Sequence, residues 1–319
     1  MSRRSEDLAM DASKQVIVPS VLPKAHGQAT LAAMQFAAGG CAGFVEVSIM
    51  HPLDLVKTRF QIQRGPDDPN RYSSIADCFR KMYRQEGPLS FYKGILPPIL
   101  AETPKRAVKF FTFEQYKSLF SYGDFIPIPM VLSLAGLFAG LTEAVVINPF
   151  EVVKVKLQAE RTSFKQQSST ISTARDIVAS DGLGFKGLNK GLTATLGRHG
   201  VFNMFYFGIY HNLKGVIPEY KDPRADFLRR FLIGLFAGCL SSCINIPFDV
   251  AKSRIQGPQP TPGLIKYKGC FQTIALVYRE EGFFALYKGL IPKMLRLGPG
   301  GAIMLLVYEA AFDFLKRTL

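Results

Sequence analysis

The chain has 319 residues, 48% of them hydrophobic, and a formal net charge of +14. The apolar residues lie mainly in six long segments, at 31–62, 91–119, 127–158, 190–215, 227–256 and 286–316. This pattern predicts one membrane-embedded unit instead of two soluble domains. Nucleic acid is excluded as a partner because the basic residues are dispersed among apolar segments and no readout motif is present. Anionic lipid head groups and anionic solutes remain as candidate partners.

Neither the N-terminus nor the cysteines carry a processing or metal-binding pattern. The N-terminal extension, residues 1–29, mixes acidic and basic residues and has no apolar core, so it resembles neither a secretory signal nor a transit peptide. The five cysteines are odd in number and include no C-x-x-C pair, which argues against a disulfide framework or a zinc site. No metal site or cofactor is therefore expected.

One ten-residue pattern occurs three times. It begins at Pro52, Pro149 and Pro247, and each copy has an acid at the third position, a lysine at the sixth and a glutamine at the tenth. The prolines are 97 and 98 residues apart. Such a spacing predicts three copies of one unit. We place their boundaries at 30–124, 125–222 and 223–319.

Further features repeat in register with these prolines. Two glycines four residues apart precede each proline, and small residues at this spacing typically form a close-packing face of transmembrane helices. They are Gly39 and Gly43, Gly136 and Gly140, and Gly234 and Gly238. An acid-glycine pair and a Lys-Gly pair then open each second apolar segment. The stretch before each acid-glycine pair has helical apolar spacing, which predicts three short amphipathic helices at the membrane surface.

The three Pro-x-acid-x-x-base motifs resemble those of the mitochondrial carrier family. The resemblance implies an all-α protein of the mitochondrial inner membrane, with six transmembrane helices in three parallel pseudo-threefold repeats that form a barrel. It also implies three short matrix-side helices, bound cardiolipin, a monomeric state and transport instead of enzymatic catalysis. The three long loops hold twelve Lys or Arg against two in the short connections 118–130 and 215–226. The positive-inside rule therefore places the long loops in the matrix.

The motif charges admit two pairings. Each acid can pair with the lysine three residues later on its own helix. The family resemblance implies instead a matrix gate in which Asp54 pairs with Lys154, Glu151 with Lys252, and Asp249 with Lys57, and this is the expected arrangement. We call these six residues the matrix ring. Gln61, Gln158 and Gln256 lie one turn further and are expected to brace its pairs.

At the other end of the barrel, the resemblance implies a second charge set made of Glu114, Lys117, Lys214 and Glu309. We call it the cytoplasmic set. The second copy has His211 where the family has an acid, and the third copy lacks the base. Only the pairs of Glu114 with Lys214 and of Glu309 with Lys117 can then form. We expect this gate to be the weaker one.

Charged residues inside the even-numbered segments are candidates for substrate contact. Glu102, Lys105, Arg106 and Lys109 share one helical face. Arg198 and His199 in the fourth segment and Arg296 in the sixth fall at a depth matching Glu102, where the family binds its substrates. The alternatives are that the arginines reach the interface or pair with an acid, and that His199 only packs. Glu46 and Glu143 are the expected cavity acids, either neutralising excess positive charge or assisting proton-linked transport.

Two arginines and a basic face suit a dicarboxylate, since the guanidinium fork binds a carboxylate with two hydrogen bonds. Within the family, these residues most resemble the branch that exchanges 2-oxoadipate and related oxodicarboxylates for 2-oxoglutarate. The alternatives are a carrier for citrate or for 2-oxoglutarate and malate. A soluble helical-repeat scaffold is a further alternative, although its helices need no 20-residue apolar runs.

Overall fold

The computed structural model describes residues 28–64, 71–122, 127–260 and 264–318, and within them it contains nine α-helices. Residues 1–27 of the expected N-terminal extension lie outside this described part. Six helices are long: α1 (Gln28–Ile62), α3 (Leu96–Phe120), α4 (Ile128–Ala159), α6 (Leu192–Val216), α7 (Pro223–Gln256) and α9 (Leu290–Thr318). Three are short: α2 (Ile75–Glu86), α5 (Thr170–Asp181) and α8 (Cys270–Glu281). The all-α class predicted from the sequence is confirmed.

The six long helices form a closed barrel. Each packs against the next in the order α1, α3, α4, α6, α7, α9, and α9 packs back against α1. The helices α1, α4 and α7 carry the repeated prolines inside their spans and also touch one another directly. We call these three the motif helices. Their mutual contact brings three distant parts of the sequence to one end of the barrel.

The outer surface of the barrel is apolar. Large side chains such as Phe36, Phe44, Phe236 and Leu306 are exposed there. Within the described residues, α1, α4, α7 and α9 are each long and apolar enough to cross a membrane by themselves. In α3 the four charges between Glu102 and Lys109 lower the hydropathy, and intramembrane charges usually face the interior of a bundle.

The three short helices pack against the motif helices through equivalent apolar faces. Cys78 and Met82 of α2 are fully buried against Leu55 of α1. Ile177 of α5 is buried against α4, and Val277 of α8 against α7, in the same relative positions. This one-sided burial matches the amphipathic spacing of the sequence. It attaches each long loop to the segment that follows the repeated proline.

Glycines of the repeated pairs make the turns into the even-numbered long helices. Gly94, Gly191 and Gly289 have φ values of 64°, 71° and 83°, which disfavour any residue with a side chain. At Gly289, an added Cβ would also lie 3.1 Å from the main-chain oxygen of Lys57. The turn therefore requires glycine both for its backbone conformation and for its close contact with the neighbouring repeat.

A buried charge cluster fastens repeat 1 to its neighbour at the matrix end. Glu86 receives hydrogen bonds from Arg59 and Lys93, and Arg59 Nη2 lies 2.8 Å from Glu86 Oε2. Arg59 also donates to the main-chain oxygen of Glu160, at the C-terminal end of α4, over 2.9 Å. Burial alone would raise the pKa of Glu86, but the hydrogen bonds from Arg59 and Lys93 outweigh that cost and lower it below its ordinary value. We call this cluster the repeat 1 triad.

Repeat 3 contains an equivalent triad. Glu281 pairs with Arg254 at 2.7 Å and with Lys288 at 2.6 Å. Arg254 and Lys288 also donate to main-chain oxygens at the end of α1, including that of Gln61. Both triads therefore close the last turn of a neighbouring motif helix.

Repeat 2 has the corresponding residues Lys156, Asp181 and Lys190 but not the triad. Lys156 and Asp181 are exposed, and among the described residues no ion pair joins the three. Aspartate and lysine are shorter than the glutamate and arginine that they replace. The interface between α4 and α7 consequently lacks the fastening that the other two interfaces have.

This difference predicts unequal costs for equivalent substitutions. Glu86→Ala leaves Arg59 and Lys93 buried without their carboxylate, so it should destabilise the protein by about 3–5 kcal/mol. Asp181→Ala, at the equivalent exposed position, should cost at most about 0.5 kcal/mol. Thermal unfolding of the purified variants measures both, and equal effects of the two substitutions would contradict the asymmetry.

The paired glycines do not pack alike in the three repeats. In repeat 2, a Cβ at Gly140 would lie 2.6 Å from the main-chain oxygen of His199, and one at Gly136 would lie 2.9 Å from that of Asn203. Gly39 of repeat 1 has no atom within 4 Å of such a Cβ. A Cβ at Gly43 would lie 3.0 Å from a side-chain atom of Glu102, and the nearest atoms at Gly234 and Gly238 are 3.6 and 3.8 Å away. The expectation of close packing at all three glycine pairs is therefore wrong for this structure, because of these six glycines only those of α4 meet main-chain atoms of a neighbouring helix.

Alanine substitutions should reveal this difference. Gly140→Ala forces α4 and α6 apart and should destabilise the protein by about 1–3 kcal/mol. Gly39→Ala meets no neighbour and should be neutral or slightly stabilising, since alanine favours a helix over glycine by about 0.5–1 kcal/mol. The comparison uses the thermal midpoints of unfolding of the two purified variants. A larger decrease in the midpoint for Gly39→Ala than for Gly140→Ala would contradict the helix packing described here.

Candidate functional site

The matrix ring is formed by ion pairs between different motif helices. Lys154 Nζ lies 2.9 Å from Asp54 Oδ2, Lys252 Nζ lies 2.7 Å from Glu151 Oε2, and Lys57 Nζ lies 3.0 Å from Asp249 Oδ2. These are the three cross-helix pairings expected from the sequence. The alternative pairing of each acid with the lysine of its own helix is not found among the ion pairs of the described residues.

The glutamines beyond the ring bond differently from the expectation. Gln158 Oε1 accepts a hydrogen bond from Thr58 over 2.7 Å, and Gln61 Oε1 accepts one from Ser253 over 2.7 Å. Neither touches the ring charges that it was expected to brace. Each glutamine instead joins two motif helices one helical turn beyond the ring. It can do so because the residue after the ring lysine of the neighbouring helix, Thr58 or Ser253, carries a hydroxyl group.

The third glutamine lacks such a partner. The residue in the position of Thr58 and Ser253 is Val155, which has no hydroxyl. Gln256 Nε2 instead donates to Asn148 Oδ1 over 3.1 Å and to the main-chain oxygen of Lys190 over 3.2 Å. The glutamine layer is thus complete at two of the three interfaces between motif helices.

Arg198 of α6 reaches two acids of the matrix ring. Its guanidinium contacts the Glu151 carboxylate, and its Nε lies 3.6 Å from Asp249 Oδ1. Arg296 of α9 is placed in the same way, with Nη1 2.9 Å from Asp54 Oδ1 and Nη2 2.9 Å from Glu46 Oε1. Both arginines therefore pair with acids, which is the alternative raised for them. The acids they pair with are largely those of the ring.

Lys293 is a further cation of this site that the sequence interpretation missed. Its Nζ lies 2.8 Å from Asp249 Oδ2, so Asp249 pairs with cations from three helices. The available signal was its position one residue after the proline in Ile-Pro-Lys-Met-Leu-Arg, close to one turn before Arg296. The equivalent residues of repeats 1 and 2 are Pro98 and Thr195, which are uncharged. A comparison of the three repeats therefore does not mark Lys293 as a site residue.

The charged face of α3 forms a separate group. Glu102 pairs with Arg106 at 2.6 Å and with Lys105 at 3.5 Å, both on its own helix. Lys109 lies 5.7 Å from the centre of the Phe207 ring. Lys105 and Lys109 also interact electrostatically with Glu143 of α4. The four predicted residues thus share one face, with the two lysines directed at an acid of another helix.

His199 lies next to Arg198 and contacts acids of α4. Its Nδ1 is 3.2 Å from Glu143 Oε1, and its Nε2 contacts an amino group of Arg198. Asn203, one turn further along α6, donates to Glu143 Oε2 over 3.4 Å. Glu143 is only 1% exposed, so these hydrogen bonds stabilise a buried carboxylate.

The cytoplasmic set does not form the expected pairs. Glu114 lies 3.6 Å from Lys117 of its own helix. Neither Glu114 with Lys214 nor Glu309 with Lys117 is among the ion pairs of the described residues. Among the ion pairs of the described residues, motif charges therefore pair across helices at the matrix end, whereas at the cytoplasmic end Glu114 pairs within its own helix.

Taken together, the site offers two guanidinium groups, one from α6 and one from α9, and each of them pairs with two carboxylates. An anion with two carboxylates is the chemical species able to replace those internal acids at both arginines.

Comparisons with known proteins agree with this chemistry. The family model described as "Mitochondrial carrier protein" matches residues 29–124, 129–221 and 223–319. The chain is 66% identical to the mitochondrial 2-oxodicarboxylate carrier of Bos taurus and 64% identical to that of Homo sapiens, in each case over 90% of this chain and 96% of the relative. It is 42% identical to a probable mitochondrial 2-oxodicarboxylate carrier of Dictyostelium discoideum, over 87% of this chain and 89% of the relative. The chain therefore belongs to the mitochondrial carrier family and is a multi-pass protein of the mitochondrial inner membrane.

Proposed function

We propose that the protein is an antiporter that exchanges 2-oxodicarboxylates, such as 2-oxoadipate and 2-oxoglutarate, by alternating access. The names of its relatives support this substrate class. The observation that carries the proposal is that Arg198 and Arg296 each pair with acids of the matrix ring.

This arrangement links substrate binding to gate opening. A substrate carboxylate that binds Arg198 must withdraw it from Glu151 and Asp249, and one that binds Arg296 must withdraw it from Asp54. Each ring acid then loses one of its partners, and a buried acid with fewer partners is less stable. The substrate therefore weakens the matrix ring by the same contacts that bind it.

Simultaneous engagement of both arginines explains selectivity for dicarboxylates. A monocarboxylate such as pyruvate can release only one of them, so the other continues to hold the ring. A dicarboxylate of suitable length releases both. Enzymatic chemistry is not needed for this function, and we propose that the protein has none.

The remaining residues have supporting roles in this proposal. Lys105, Arg106 and Lys109 attract the substrate and guide it along α3, with Glu102 limiting their positive charge, and His199 faces the 2-oxo group. The matrix ring with its glutamines is the matrix gate, and the cytoplasmic set is the weaker gate. We also propose that residues 30–124, 125–222 and 223–319 are the three repeats, that the protein acts as a monomer, and that cardiolipin binds between repeats.

If the ring is a gate made of cross-helix pairs, its members should be energetically coupled. Asp54→Asn and Lys154→Gln should show a coupling energy of about 0.5–3 kcal/mol in a double-mutant cycle. Asp54→Asn with Lys57→Gln is the matched control, because these residues share a helix but form no ion pair. Thermal unfolding of the single and double variants gives both values.

Substitutions that break the ring should also increase the leak of substrate through the carrier. Because the Asp54–Lys154 pair holds the matrix end closed, both single variants should leak substrate more readily than the wild type. A larger coupling energy for the control pair than for the cross-helix pair would refute this arrangement of the gate.

Removal of either central arginine should nearly abolish exchange. Arg198→Ala or Arg296→Ala should lower the uptake of labelled 2-oxoglutarate into liposomes preloaded with 2-oxoadipate by at least about 100-fold, since loss of one partner of a buried charge pair costs 2–5 kcal/mol or more. Lysine at either position should restore exchange only in part, because it lacks the planar fork.

The same liposomes test the substrate class. Wild-type protein should exchange oxodicarboxylates of five to seven carbons and should not exchange pyruvate. Citrate uptake as fast as that of 2-oxoadipate would contradict the proposal and favour the tricarboxylate alternative, while near-normal uptake by Arg198→Ala would remove Arg198 from the binding site.

A further inference from the structure

The contacts of His199 define which of its ring nitrogens carries a proton. A guanidinium group has only donors, so the Nε2 atom that contacts Arg198 must be the acceptor. The Nδ1 atom, 3.2 Å from Glu143 Oε1, is then the protonated nitrogen and donates to that carboxylate. This pairing assigns the proton of His199 to Nδ1 and leaves Nε2 as the acceptor that Arg198 occupies.

Besides Arg198, the charged side chains in contact with this histidine among the described residues are two carboxylates of α4. Glu143 contacts Nδ1, and Glu151 Oε1 lies 3.8 Å from Nε2. The other charged groups act on the site through these residues. Lys252 of α7 pairs with Glu151 at 2.7 Å, Asp249 of α7 interacts with Arg198, and Lys105 and Lys109 of α3 interact with Glu143. His199 itself is 8% exposed.

The proposed transport cycle removes the one group that keeps Nε2 unprotonated. When Arg198 turns to a substrate carboxylate, Nε2 becomes a buried acceptor without a donor, which is unfavourable. It then faces Glu151, which has lost Arg198 as well, and the negative charge of the substrate. A proton on Nε2 turns this nitrogen into a donor and adds a positive charge that faces these acids, because an imidazolium donates from both ring nitrogens.

We propose that Glu143 and His199 form a proton-binding site that is filled when the substrate binds. This inference rests on the proposed function, since it requires Arg198 to move to a substrate carboxylate. One proton from the aqueous cavity binds Nε2 of His199, and no covalent bond other than the new N–H bond forms or breaks. The proton leaves when the substrate that it accompanied leaves on the other side, and the counter-substrate carries a proton back in the same way, so a one-for-one exchange transfers no net proton.

The pH dependence of substrate affinity tests the proposal. Histidine is the side chain that ordinarily changes charge between pH 5 and 8, whereas dicarboxylates are fully ionised above neutral pH. For the wild type, the KM for 2-oxoglutarate in liposomes should therefore rise with pH, approaching about tenfold per pH unit. His199→Gln, which can still accept a hydrogen bond from Arg198, should show a KM independent of pH.

Two acid variants separate the proton site from a general charge effect. Glu143→Gln removes the counter-charge of the imidazolium, so the rise in KM should begin at a lower pH than in the wild type. Glu46→Gln is the matched control, because Glu46 occupies the equivalent position of repeat 1 but pairs with Arg296, which does not titrate. It should change KM while leaving the shape of the pH profile as in the wild type.

A direct measurement of proton uptake gives an independent test. Addition of 2-oxoglutarate to the purified wild type in weakly buffered solution should raise the pH reported by an indicator dye by the equivalent of about one proton per bound substrate. The His199→Gln protein should give no such signal. This binding measurement does not require that a variant complete the transport cycle.

The outcomes distinguish this inference from the proposed function. Wild-type exchange of 2-oxodicarboxylates with a pH-independent KM and no proton uptake would overturn the proton site and leave the carrier function intact. If the His199→Gln variant kept the wild-type dependence of KM on pH, the proton site would also be overturned. Absence of 2-oxodicarboxylate exchange at every pH would overturn the proposed function and this inference together.

Discussion

The structure depends on the sharing of a few buried carboxylates among more cations than each can fully satisfy. Asp54 serves Lys154 and Arg296, and Glu151 serves Lys252 and Arg198. Burying a carboxylate is costly unless it is paired, so each acid needs its cations as much as they need it. A competing carboxylate can therefore rearrange the whole group, because it changes the partners of several charges at once.

This sharing places substrate chemistry and gate stability in one network. The cations of α6 and α9 extend from the middle of the barrel to the ring at its matrix end. The cost of removing both charges from water offsets much of the attraction in a buried ion pair, so the ring closes the barrel without locking it. A ligand that offers better partners to Arg198 and Arg296 needs only modest binding energy to shift the balance.

The three repeats make different contacts with their neighbours in the barrel. Repeats 1 and 3 have triads that fasten the ends of neighbouring motif helices. The glutamines of repeats 1 and 2 accept a hydrogen bond from a hydroxyl group of the neighbouring helix, whereas the glutamine of repeat 3 meets an apolar residue there. Repeat 2 lacks the triad but packs α4 against α6 through Gly136 and Gly140.

The sequence by itself determined the six long helices and the three short ones. Periodicity and threefold repetition suffice for these features, because every copy must bury the same face. For the ring, the residues admitted two pairings, and only the resemblance to the carrier family implied the cross-helix one that the structure has. The tertiary structure alone decided features that depend on differences between copies. Gln256 finds no hydroxyl because the neighbouring helix carries Val155, Lys293 has no charged counterpart in the other repeats, and the tautomer of His199 follows from Glu143 and Arg198 on opposite sides of its ring. Such contacts join side chains that lie tens of residues or more apart in the chain, or depend on the angle at which a neighbouring helix approaches, and neither is visible in a repeat pattern.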